Sequence, residues 1–163
     1  NEVEKIFQFF EKNYLSLTFR HLIVSPYSTR RKFLQLIDNE IKNAKAKKEG
    51  KITLKLNNLV DTVLINKLYE ASNAGVEINL IIRGICSLVP GVKKQSENIK
   101  VISIVDRFLE HVRTMIFHNN GEELYFISSA DWMTRNLDNR VEVTTPIYNK
   151  HIQKINFNKR NFT

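Results

Sequence analysis

Three stretches of this chain place polar, phosphate-competent side chains directly after apolar runs, where sites of layered α/β domains usually form. In the first, Arg83-Gly84-Ile85-Cys86 follows the apolar run 76–82. The Arg83 guanidinium can present its planar fork to phosphate oxygens, and the glycine beside it lets backbone approach closely. The plainer reading is an arginine paired with a carboxylate at the domain edge. The second stretch is Asp106-Arg107-Phe108-Leu109-Glu110-His111-Val112-Arg113. In extended backbone His111 and Arg113 project to one face, which sets an imidazole beside a guanidinium. One can exchange a proton and the other can neutralise charge, a pairing suited to a phosphoryl group. A histidine with a purely structural role is the competing reading. The third stretch is Ser128-Ser129-Ala130-Asp131-Trp132-Met133-Thr134-Arg135-Asn136, with Arg140 and Glu142 beyond it. Its hydroxyls, carboxylate and arginine can bind or orient oxyanions and histidines.

The elements that must hold these groups follow from periodicity. Val3, Ile6, Phe7 and Phe10 recur at helical spacing, so the chain opens with a short amphipathic helix within residues 1–19. Residues 21–25 read as a short buried strand ended by Pro26, and Phe33, Leu34, Ile37, Ile41 and Ala44 mark a helix over 28–47. Alternation predicts a strand at 51–56, and Asp61 is placed to cap a helix carrying Leu64, Leu68 and Ala71 that stops near Gly75. A third strand covers 76–82. Strands alternating with helices point to an α/β domain, of mixed α+β layers, with a partly parallel core. Past residue 88 the strands come closer together, at 100–104, 112–117, 124–127 and 141–145, with Asn119-Asn120-Gly121 as a hairpin turn. The 163 residues read as a single domain, and 151–163 as a tail.

Composition narrows the function classes. At this length a core can form without disulfide or structural metal, and 42% hydrophobic with 26% charged residues excludes a disordered or collagen-like chain. No apolar run is long enough to span a bilayer. Neither a secretory leader nor an initiator methionine is visible, and both ends resemble cuts in a longer protein. The one cysteine, Cys86, suits a reducing, cytoplasmic setting. A net charge of +8 and a pI near 9.6 favour polyanionic partners. Six lysines fall between Lys42 and Lys55, which read most simply as a solvated helix end and loop.

Longer motifs carry a resemblance. IIRGICSLVPG, SENIKVISIVDRFLEH and ISSADWMTRNLDNRVEV, preceded by KITLKLNNLVDTVLINKLYEASNAGVEINL, closely resemble the carboxy-terminal catalytic region of bacterial polyphosphate kinases over about residues 20–150. The resemblance implies a phospholipase D-like fold, a mixed β-sheet flanked by helices, as the second of two such domains with the active site between them. It implies reversible transfer of the terminal phosphate of ATP to inorganic polyphosphate through a phosphohistidine. That histidine and the arginines that bind Mg²⁺ would lie on a domain preceding residue 1, leaving no metal site here. The family's ATP contacts fall on Arg83 and His111, the latter also the catalytic candidate, with Arg113, Ser129 and Arg135 as further phosphate-binding candidates. ATP/ADP, polyphosphate, the preceding domain and a homo-oligomer of the full-length protein are the implied partners. The location implied is cytoplasmic, with peripheral membrane association left open, and the chain by itself is expected to be inactive.

Phospholipase D-like proteins carry a His-x-Lys pair, a later Asp and a Gly-Ser-x-Asn turn. Here His111-x-Arg113 and Ser128-Ser129-Ala130-Asp131 stand in those places, and His118 holds the Asp position. The missing Lys and Asp argue against an independent phosphodiesterase, which as a rival would act as a dimer through two copies of His111. The other rival is a nucleic-acid-binding module using the positive charge. Against it, the lysine run lacks the interleaved aromatics that single-strand stacking needs, so no specific nucleic-acid partner is expected.

Overall fold

The structure is a computed structural model that describes residues 1–104, apart from 13 and 16, and residues 111–156. Its centre is the alternation of strand β2 (Lys51–Leu56), where Ile52, Leu54 and Leu56 are buried and Lys51, Thr53 and Lys55 are not. Parallel to β2 runs β3 (Glu77–Ile82), in the register Ile52↔Ile78 and Leu54↔Leu80, followed outward by β4 (Ile99–Ile102). On the other side of β2 lies β5 (Arg113–Phe117), antiparallel, then β6 (Leu124–Ser128), β7 (Val143–Pro146) and the two-residue β1 (Ile23–Val24). The sheet order is therefore β1-β7-β6-β5-β2-β3-β4, mixed as expected, with its parallel part on one side only.

Two helices cover the face that carries Ile52, Leu54, Ile78, Leu80, Met115 and Phe117. Helix α2 (Thr29–Lys45) contributes Phe33 and Ile37, and α3 (Thr62–Asn73) contributes Leu64 and Leu68, all fully buried. Each such burial contributes about 1.5–3 kcal/mol. The Asp61 side chain caps α3, accepting from the Leu64 N–H at 3.0 Å, and Gly75 takes φ +92° just past its end. Trp132, from the segment after β6, is also fully buried and stacks on Phe33, ring centroids 5.3 Å apart.

Boundaries shift in instructive places. The opening helix α1 (Glu2–Glu11) forms, but Phe7 and Phe10 stay exposed; what anchors it is the Glu2 carboxylate, which accepts from the backbone N–H groups of Arg20, His21 and Leu22. The β5–β6 connection is longer than a two-residue hairpin. Asn119, Asn120 and Gly121 all take positive φ (48°, 56° and 93°), conformations that Asn and Gly tolerate best. The stretch read as a tail begins inside helix α4 (Lys150–Asn156), capped by Asn149, and 157–163 lie outside the described residues. The lysine run is divided between the end of α2, an exposed turn and the outer face of β2, with Lys51 paired to Glu77 at 3.0 Å, so it forms no continuous stripe.

Candidate phosphate-binding site at one edge of the sheet

Strand directions explain why the three sequence clusters meet. Parallel β2 and β3 end on the same edge, where antiparallel β5 begins, β6 ends and β7 begins. Asn57 and Asn58, Arg83, Arg113, Ser128 to Asp131, and Glu142 are thereby brought to one edge. Of the second cluster, residues 106–110 lie outside the described residues, while His111 and Arg113 lie within them.

Asp131 is the hub. Its buried carboxylate accepts from the backbone N–H groups of Asn57 (2.9 Å) and Asn58 (3.2 Å) and from the Asn58 side chain (3.1 Å). Arg113 grips the same carboxylate with two nitrogens, Nε at 3.0 Å and Nη2 at 3.2 Å. Burial alone would push the Asp131 carboxyl upward, but the Arg113 and Asn58 hydrogen bonds outweigh it and hold the group below its ordinary value. The pair is nearly dry, its side chains 11% and 5% exposed, so removing one partner would strand a buried charge.

Arg113 is consequently turned inward. Its remaining nitrogen, Nη1, donates to His111 Nδ1 at 3.1 Å and to the His111 carbonyl at 3.2 Å. A guanidinium only donates, so Nδ1 must accept, and the neutral ring carries its proton on Nε2. The juxtaposition expected from extended spacing is present, with a particular division of labour: Arg113 braces, and exposed His111 presents Nε2–H.

Arg83 sits across the loop from this pair. Its Nε donates to Asn57 Oδ1 at 3.1 Å, and among the described residues no carboxylate pairs with its guanidinium, against the plainer sequence reading. A relay of contacts thus runs from Arg83 through Asn57 and Asp131 to Arg113 and His111. Gly84 acts differently from its expected role beside a ligand. A Cβ there would lie 2.7 Å from Asn58 Oδ1 and 2.9 Å from the Asn57 carbonyl, so the glycine is what lets the loops after β2 and β3 close on each other.

The other candidates are placed as follows. The Ser129 hydroxyl donates to Glu142 and accepts from the Val143 N–H at 3.1 Å, tying two loops together. Glu142 in turn accepts from Asn136 at 2.7 Å. Arg135 is exposed in a π-helical turn (Arg135–Asn139) and touches neither Arg83 nor His111 among the described residues. His118 lies at the opposite end of β5, its Nδ1 3.2 Å from the Glu49 carbonyl, and takes no part in the edge. Asn57 and Asn58 were not anticipated; the signal available was two consecutive asparagines directly after an alternating strand. No group of three His, Cys, Asp or Glu among the described residues could hold a metal ion, and Asp131 is already saturated with donors.

Comparisons with known proteins show the family and the fold. The family model "Polyphosphate kinase C-terminal domain 2" matches residues 22–157. A curated polyphosphate kinase of Vibrio parahaemolyticus is 54% identical over 154 residues, covering 94% of this chain and 22% of that protein. The crystal structure of polyphosphate kinase from Porphyromonas gingivalis superposes with a TM-score of 0.89 at 45% identity, covering 93% of this chain and 23% of the other. Nuc from Salmonella typhimurium, a phospholipase D family member, shares the fold alone, with a TM-score of 0.62 and 14% identity over 86% of this chain and 91% of that one. The chain spans about a fifth of the length of the curated relatives it matches. With its phospholipase D-like fold and a match across nearly its whole length, this chain belongs to the polyphosphate kinase family, as its C-terminal domain 2.

Proposed function

We propose that this chain is the nucleotide- and polyphosphate-binding half of a polyphosphate kinase active site, completed by a preceding domain of the same protein. The reaction is reversible transfer of the terminal phosphate of ATP to inorganic polyphosphate, and the phosphorylated histidine belongs to that other domain. Phosphoryl transfer depends chiefly on positioning and charge stabilisation, so a domain without the nucleophile can still control the rate. The observation that carries the reading is the state of Arg83 and His111. One guanidinium, held by a single bond to Asn57, keeps its paired Nη groups uncommitted among the described residues. One exposed imidazole, braced by Arg113, presents an N–H donor at the same sheet edge.

In this reading Arg83 binds phosphate oxygens of the nucleotide, and His111 Nε2–H donates to an oxygen of the transferring group. Arg113 and Asp131 are positioning residues, since their polar atoms are directed at each other and at His111. Ser129 holds the loop that carries Asp131, and Arg135 is a peripheral cation for the polyphosphate chain. The Mg²⁺ that the reaction uses is assigned, on the family resemblance, to the preceding domain, and no step is routed through it. A cytoplasmic, homo-oligomeric full-length protein belongs to the same proposal. No helix among the described residues is long and apolar enough to cross a membrane.

The test is Arg83→Lys in the full-length protein. If the fork grips phosphate, lysine keeps the charge but loses the two-pronged geometry, and turnover should fall at least about tenfold with folding unchanged. Activity near the parent's for both Arg83→Lys and Arg83→Ala would remove Arg83 from the site.

A further inference from the structure

A second basic feature lies where α2 meets the β1 end of the sheet order. The segment leading into β1, the first turns of α2 and strands β6 and β7 enclose a cavity of about 400 Å³. Its floor is apolar, built from Leu22, Leu36, Leu124 and Phe126. Arg20, His21, Arg31 and Lys32 stand around it, and no carboxylate lines it. Among the described residues neither Arg20, Arg31 nor Lys32 has an ion-pair partner. The nearest acid of the incoming segment, Glu2, is occupied by three backbone N–H groups.

Two aromatic rings complete the walls. Phe19 and Tyr148 both line the space, and the Tyr148 hydroxyl lies 3.1 Å from His21 Nδ1, with the two rings edge-on at 86°. The charge pattern is also costly where it stands. Thr29-Arg30-Arg31-Lys32 opens α2 with three cations and no acid, although the positive end of a helix favours the opposite sign. Arg30 is neutralised by Asp61 and Asp138. Arg31 and Lys32 are not, and a local rule broken without a compensating contact within the fold is the mark of a functional position.

We propose that this cavity is a second ligand site, taking a phosphate monoester attached to a planar apolar body, a ligand of the nucleotide class. The cations would hold the phosphate, and the apolar floor with Phe19 and Tyr148 would hold the body; a bare phosphate or polyphosphate would leave that floor unused. The cavity's size is within the ordinary range for small-molecule sites. None of the edge residues Arg83, His111, Arg113 or Asp131 lines it, and Leu124 pairs with Phe117 at the end of β5 opposite Arg113, so it does not overlap the Arg83–His111 edge. The inference does not rest on the proposed kinase function.

The experiment is photolabelling of the full-length protein with an azido-substituted AMP, followed by peptide mapping. Label is expected on the peptides containing Phe19 or Tyr148, with protection by excess AMP. It should drop about tenfold or more in the Arg31→Ala/Lys32→Ala double variant, on the scale of losing charge-assisted hydrogen bonds, and stay unchanged in Arg83→Ala. Unmodified Phe19 and Tyr148 peptides, or equal labelling in the double variant, would overturn the proposal. Protection by inorganic phosphate at the same concentrations as AMP would reduce the cavity to an anion site and overturn the nucleotide class. Protection by phosphatidic acid vesicles but not by AMP would assign it to a lipid headgroup and do the same. Should the alanine pair lower the melting temperature, Arg31→Gln/Lys32→Gln replaces it, since glutamine preserves the bulk at these exposed positions.

Discussion

His111 is the residue whose role is most sharply divided by the geometry. Because Arg113 donates to Nδ1, the ring faces outward with Nε2–H, a hydrogen-bond donor. In the full-length protein His111→Ala should therefore lower turnover by ~10²-fold or more, the scale of a lost charge-stabilising donor. His111→Gln should recover much of that loss, since an amide still donates although it cannot exchange a proton near neutral pH. Steady-state kinetics and thermal melts on the same two variants check this. Glutamine as defective as alanine would make proton exchange the essential act, and a lowered melting temperature with unchanged activity per folded molecule would make the residue structural. At this scale the sequence reveals which side chains lie near one another only when they are near in the chain. His111 and Arg113 are two residues apart, and extended backbone places them together. Asp131 meets Asn57 and Asn58 across more than seventy residues, and no local pattern encodes that choice of partner.

Strand β5 joins two buried carboxylates with opposite responses to acid. At its start, Asp131 is held below the ordinary 3.8 by Arg113 and Asn58 despite burial. At its far end Glu40, fully buried, accepts from the N–H groups of Asn119 (2.7 Å) and Lys51 (3.1 Å), and burial outweighs these and raises its pKa above the ordinary 4.5. The unfolded chain protonates Asp131 before the folded one does, so that group's stabilisation is present above about 3.8 and is lost as pH falls through its lowered value. For Glu40 the folded state binds the proton first, so its contribution is present below about 4.5 and is lost as pH rises through the raised value. Urea midpoints across an acid-to-neutral series should show both trends in the parent. Glu40→Gln should remove the decline on the upper side, and Asp131→Asn the fall on the acid side, the latter also costing about 3 kcal/mol at neutral pH by leaving Arg113 unpaired. Parallel pH curves for all three proteins would contradict the assignment. The elements themselves were readable because alternation and helical spacing are local: β2, α3 and the Asp61 cap stand where periodicity puts them. The longer β5–β6 connection was not, because the carboxylate that fastens it at Asn119 comes from α2.

For the molecule as a whole, a closed core, taken with the proposed division of the active site between two domains, leads to a simple expectation. The chain on its own should melt cooperatively and yet transfer no phosphate from ATP to polyphosphate; transfer by pure chain above a His111→Ala control would refute the proposed division between domains. Sheet order is what the sequence concealed most completely, since it pairs the first strand with the last. Ile23 meets Thr144 and Val24 meets Val143, across some 120 residues, whereas β2, β3 and β4 lie within about fifty. That pairing sets an order of assembly. While the chain is being synthesised, residues 51–102 can already lay down the parallel side of the sheet against α3, but β1 has nothing to pair with until β7 has emerged. The nucleotide-sized cavity beside β1, which Pro146 and Tyr148 help to line, consequently cannot close until β7 has emerged. Amide exchange should show the same hierarchy in reverse, with Ile23, Val24 and Val143 opening before the amides of β2 and β3. A released chain that ended before residue 143 would carry a five-stranded sheet with its own β6 as an uncovered border, a template for any neighbouring strand.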